Sequence, residues 1–168
     1  MIENDILTLL ATIAAVTIAT VGVITFIYER RKFRLAALVE TYRFLGDIRH
    51  REARKVLYGN ESMASYEILG LVRPTADGGA STDELERLAK DIVRSDLNHV
   101  GTLIQHKLLD ENTIVSEYNW MIQKSWSLLE ADIMNRRNGI GPSNYMENFE
   151  TLQKKAEKWS EKRVNNST

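Results

Sequence analysis

From Ile6 to Tyr28 the chain reads ILTLLATIAAVTIATVGVITFIY, 23 residues with no charge, no proline and one glycine. About 20 residues at helical rise cross a hydrocarbon core of about 30 Å. A helix is the only single segment that satisfies its own backbone in lipid. Five threonines (Thr8, Thr12, Thr17, Thr20, Thr25) interrupt the apolar character, but a hydroxyl can donate back to a carbonyl one turn earlier. A helix buried in a soluble core is usually shorter and carries polar punctuation. A cleaved signal peptide fits poorly, because MIEND is acidic, the run is too long and no small-residue cleavage site follows. The reading is a transmembrane helix over 6–28 behind a short N-terminus, 1–5.

The 168 residues carry a formal net charge of −1, and the distribution says more than the sum. Residues 29–58 hold nine Lys/Arg against four carboxylates, whereas 59–168 hold thirteen against seventeen. Arg30, Arg31, Lys32 and Arg34 flank the C-terminal end of the run, while Glu3 and Asp5 flank the other. Basic residues beside a span mark its cytoplasmic side, so the N-terminus is expected outside a cell membrane and the remaining mass in the cytoplasm. The same cluster could meet anionic headgroups, although a topology signal explains it sufficiently. Ala11, Ala15 and Ala19, with Gly22 nearby, place small residues on one face and would permit a homodimer through the span.

Behind the run the periodicity stays helical. Leu35, Leu38, Tyr42, Leu45, Arg49, Glu52 and Val56 alternate spacings of three and four, which predicts a basic juxtamembrane helix over 29–58 ending at Gly59-Asn60. A short helix over about 62–69 precedes the loop VRPTADGGAST. STDE then reads as a capping box at Ser81 and Glu84, opening a helix to about Leu109 with a broad apolar face. A further helix is expected from about Thr113 to Arg137. After NGIGPSN, Tyr145, Phe149, Leu152, Ala156 and Trp159 form the stripe of the last helix, with a frayed tail over 161–168. No β pattern appears. The fold class is all-α, one transmembrane helix followed by an antiparallel bundle of about four to five helices, the bundle proper covering 59–160.

Few residues could carry chemistry. With no cysteine and three histidines, thiolate nucleophiles, disulfides and cysteine-based metal sites are excluded. Asp96 falls inside the apolar face of its helix, and a carboxylate there needs a partner; Arg49, on the first stripe, or Arg136, near the stripe of the 113–137 helix, is the expected one, with Arg49 preferred. His99 follows Asp96 by three, but an Asp-x-x-His pair needs further carboxylates from facing helices to hold a metal, and Glu52 and Asp132 are the only ones near. Trp120 lies off its helix stripe and is a candidate exposed contact. ADGGAST lacks the lysine and context of a phosphate loop, and no nucleophile elbow or triad can be assembled. The arginines between 30 and 55 alternate with core positions, which argues against nucleic acid as a partner. No catalytic, cofactor-binding or metal residues are therefore assigned, and no cofactor is expected.

The stretch DIVRSDLNHVGTLIQHKLLDENTIVSEYNWMIQKSW, followed by Arg136-Arg137, Gly139 and YMENFETLQKKAEKW, resembles the family catalogued as domain of unknown function 4760. The resemblance implies a small protein with one N-terminal membrane helix and a helical remainder. Arg94, Leu97, Leu109, Asp110, Tyr118, Trp126, Phe149 and Trp159 carry it, and most are packing residues; it implies no activity. The expectation is a non-enzymatic, membrane-tethered interaction, assembly or regulatory module whose partners are the bilayer and an unidentified protein. Two alternatives compete: a membrane-perturbing stress or defence effector acting through oligomerised spans, and a hydrolase using Asp96 and His99.

Overall fold

The computed structural model describes residues 2–74, 78–139 and 141–165, with side chains described at Leu10 and from Thr12 onward. It contains six helices and, among the described residues, no β-strand: α1 (Ile2–Gly46), α2 (Ile48–Leu57), α3 (Met63–Ile68), α4 (Thr82–Gln105), α5 (Glu111–Asn138) and α6 (Glu147–Asn165). The chain divides into two compact units, Met1–Ala37 and Leu38–Thr168. The all-α expectation holds, with one long apolar N-terminal helix followed by a bundle.

The first unit holds α1 up to Ala37. Thr17 and Thr20 donate their hydroxyls to the Ile13 and Val16 carbonyls, both at 2.8 Å, so neither leaves a polar group seeking water.

In the second unit the expected helix through 58 is broken. α1 stops at Gly46, and Asp47, with extended backbone, caps α2 by accepting the Arg49 amide at 2.9 Å. An aspartate accepting from the first turn satisfies a helix-start amide that has no intrahelical partner. α2 ends where expected. Gly59 takes φ +79°, and the amides of Gly59 and Asn60 fold back onto the Val56 and Lys55 carbonyls at 2.9 Å each, a closure that favours glycine.

Caps also set the later boundaries. Ser81 Oγ accepts the Glu84 amide at 3.1 Å and opens α4, the serine half of the expected capping box. α4 stops at Gln105, short of Leu109, through His106 and a left-handed Lys107. Asp110 accepts both the amide and the hydroxyl of Thr113 at 2.8 Å, so α5 begins at Glu111. α6 continues to Asn165, and the expected fraying from 161 is replaced by helix there.

Three helices build most of the core. Leu85, Val93, Leu97 and Val100 of α4, Ile114, Ile122, Leu129 and Ile133 of α5, and Phe149, Leu152 and Ala156 of α6 are all buried. α5 and α6 run antiparallel. Phe149 meets Trp126 edge-on at 5.1 Å between ring centres, while Asn119 and Gln123 donate to the Ala156 carbonyl and Ser160 Oγ at 2.8 Å.

Candidate functional site

Two features stand out, the outer surface of α1 and a polar cluster where α2 meets α4. Nine large apolar side chains between Leu10 and Ile27 are 48–73 % exposed. Each would gain about 1.5–3 kcal/mol on leaving water. Thr12–Gly46 is the one stretch among the described residues long and apolar enough to cross a membrane, with a mean hydropathy of 1.7 in its best window and none of that window buried. Arg30, Arg31, Lys32 and Arg34 are exposed on the same helix. Ala15, Ala19 and Gly22 are exposed as well, and a Cβ added at Gly22 would meet nothing within 4 Å. The side chain of Ala11 lies outside the described residues.

Asp96 is buried, as its place on the helical wheel requires, but its partner is different from the one expected. His50 Nδ1 lies 2.7 Å from Asp96 Oδ2. Arg49 is exposed at the start of α2, and Arg136 instead donates to Tyr145 Oη at 3.2 Å. Burial pushes the Asp96 carboxyl above its ordinary range, with His50 and then Arg54 pulling the other way. The Phe44 ring lies 4.4 Å from the His50 ring and 6.0 Å from that of His99. Arg54 Nη2 donates to the Leu45 carbonyl at 2.5 Å, satisfying one of the last acceptors of α1. Burial also lowers the Arg54 pKa.

A second buried carboxylate, Glu52, anchors α3. It accepts from Ser65 Oγ at 2.7 Å and from Lys55 Nζ at 3.0 Å, and the Ser65 bond leads the lowering of its pKa. Ser65 Oγ in turn accepts the Ser62 amide at 2.9 Å. The cluster therefore works as a set of helix clamps, its carboxylates occupied by neighbouring side chains. His99 is exposed and is not bonded to Asp96. Among the described residues no group of three His, Cys, Asp or Glu could hold a metal.

Trp120 is 68 % exposed. Its ring meets Tyr58 edge-on at 5.5 Å, and Tyr58 is fixed by a 2.8 Å hydrogen bond to the buried Ser125. The indole is thus presented on a supported aromatic base. Sequence reasoning missed His50, Arg54 and Tyr58; the signal for the first two was Gly46-Asp47, a helix stop followed by a capping residue.

No family model, curated protein or solved structure matches the chain, so a functional reading rests on these residues alone.

Proposed function

We propose that the chain is a single-pass membrane protein whose bundle is a non-enzymatic interaction, assembly or regulatory module on the cytoplasmic side. One observation carries the reading: an apolar helix with none of its hydropathy window buried against protein. Leaving that surface in water would expose a contiguous hydrophobic area far beyond that of ordinary monomers. The orientation rests on Arg30, Arg31, Lys32 and Arg34 against Glu3 and Asp5. Trp120 on its Tyr58 base supports protein contact, since exposed tryptophan is enriched among interface anchors. Ala15, Ala19 and Gly22, with Ala11 in sequence register, are the residues through which two spans would approach.

The absence of cysteine makes the topology simple to test. Glu3→Cys is expected to react with a membrane-impermeant maleimide on intact cells, and Ser167→Cys only after lysis. The protein should stay in the pellet after alkaline carbonate extraction. Release into the supernatant overturns the span, and labelling of position 167 on intact cells overturns the orientation. Crosslinking in native membranes should recover a partner from the parent and lose it in Trp120→Ala. Permeabilisation of pure lipid vesicles by the chain alone would instead support an effector.

A further inference from the structure

α6 seats on α4 at Asn98 to Thr102, where the Phe149 amide donates to Asn98 Oδ1 at 3.3 Å and Asn148 Nδ2 donates to Thr102 Oγ1 at 2.8 Å. Towards the N-terminal half of α4, the space between α4 and α5 forms a groove of about 440 Å³. The α4 side is a charged stripe, Asp83, Arg87, Lys90 and Arg94, at spacings of four, three and four. The α5 side supplies Asp132 and Arg136.

The arginines in this wall are held in advance. The Arg94 and Arg136 guanidinium carbons lie 5.8 and 5.4 Å from the centre of the Tyr145 ring. Arg94 is only 4 % exposed and donates to Asp91, yet its Nε is buried and makes no hydrogen bond among the described residues. A buried guanidinium with an unused donor carries an uncompensated desolvation cost, which an added anion reduces. Arg87 makes no ion pair among the described residues. The carboxylates outnumber the remaining cation: Lys90 reaches Glu86 at 2.8 Å and Asp132 at 3.5 Å, and Asp83 also lines the groove.

We infer that this groove binds a small, water-soluble zwitterion, with its phosphate or carboxylate on Arg87, Arg94 and Arg136 and its ammonium on the carboxylates. Paired planar guanidiniums match a planar or tetrahedral oxyanion by bidentate hydrogen bonds. The lining mixes four cations with three carboxylates, which suits a ligand carrying both signs. Every lining residue is charged or an amide, so no wall is offered to an acyl chain. The volume falls within the roughly 300–1,000 Å³ of small-molecule sites. This reading is independent of the membrane assignment.

The test is calorimetric titration of the detergent-solubilised full chain with phosphoethanolamine, inorganic phosphate and ethanolamine. Saturable phosphoethanolamine binding is expected, with either fragment at least about tenfold weaker, the loss attached to one charge-assisted hydrogen bond. Arg136→Gln and Arg87→Gln should each weaken binding about tenfold or more while the melting temperature stays near the parent's; Lys124→Gln, on α5 outside the groove, should not. No saturation at millimolar phosphoethanolamine, inorganic phosphate binding as tightly, or an equal loss in Lys124→Gln would overturn the site. Unchanged affinity in both arginine variants would overturn it as well.

Discussion

Gly101 offers a prediction whose sign is decided by magnitudes. It sits inside α4, where replacing glycine by alanine normally gains about 1 kcal/mol of helix propensity. Here a Cβ would lie 2.3 Å from the Asn148 carbonyl oxygen and 2.6 Å from its carbon, both backbone atoms that cannot rotate away. Relief needs α4 and α6 to part by about 1 Å, the shortfall from an ordinary 3.4 Å contact. That movement loosens the Phe149–Asn98 and Asn148–Thr102 bonds, each worth about 0.5–1.5 kcal/mol, and unseats a fully buried Phe149. Overpacking itself costs about 1–3 kcal/mol. The net expectation for Gly101→Ala is a loss of about 2–3 kcal/mol, or roughly 8–12 °C in melting temperature for a bundle of this size. Thermal unfolding followed by circular dichroism, with tryptophan fluorescence reporting on Trp126, measures it. Gly46→Ala, where a Cβ meets nothing within 4 Å, is the matched control and should melt at or slightly above the parent. A Gly101→Ala protein at least as stable as the parent would refute the close α4–α6 approach.

Two further predictions concern the buried carboxylates. The Glu52 pKa is lowered from 4.5, chiefly by Ser65, so its stabilisation is present above that value and lost as pH falls through the lowered one; Glu52→Gln should cost about 1–2 kcal/mol at pH 7, and the gap to the parent should close in acid, while a pH-independent gap counts against the assignment. The Asp96 pKa is raised above 3.8 by burial, so its contribution is full below that value and declines as pH rises through the raised one; Asp96→Asn, which keeps an acceptor for His50, should show a shallower loss of melting temperature on going from acid to neutral pH, and a steeper one would refute the burial argument.

Much of the fold was legible because its elements are long and punctuated. The apolar run of α1, the stripes of α4, α5 and α6, and the serine at 81 each state a period or a cap that local physics obeys. Boundaries were less legible where one side chain decides them. Asp110 starts α5 two residues before Thr113, and a left-handed Lys107, a conformation glycine usually supplies, stops α4 early. The exposure of Trp120 followed from its angle on the α5 wheel. The Tyr58 ring that supports it comes from the end of α2, 62 residues away in sequence, a distance no local pattern spans.

The Asp96 pairing shows where such reasoning stops being local. A helical wheel correctly buries Asp96, because its own helix runs unbroken on both sides. Choosing its partner required the phase of another helix, and the uninterrupted 3-4 stripe from Leu35 to Val56 put Arg49 on the inner side. Gly46 and Asp47 break the helix: α1 ends, α2 restarts from its own cap, Arg49 in the new first turn is exposed and His50 lies against Asp96. Glu52 and Val56 stay buried, and Ala53 and Leu57 are buried beside them, so α2 presents two adjacent rows to the core; His50 lies on the second row, with Ala53 and Leu57, while Arg49 is exposed in the first turn. The partner of Asp96 therefore belongs to the second of two adjacent rows on α2, a choice that a single stripe of spacings three and four does not make.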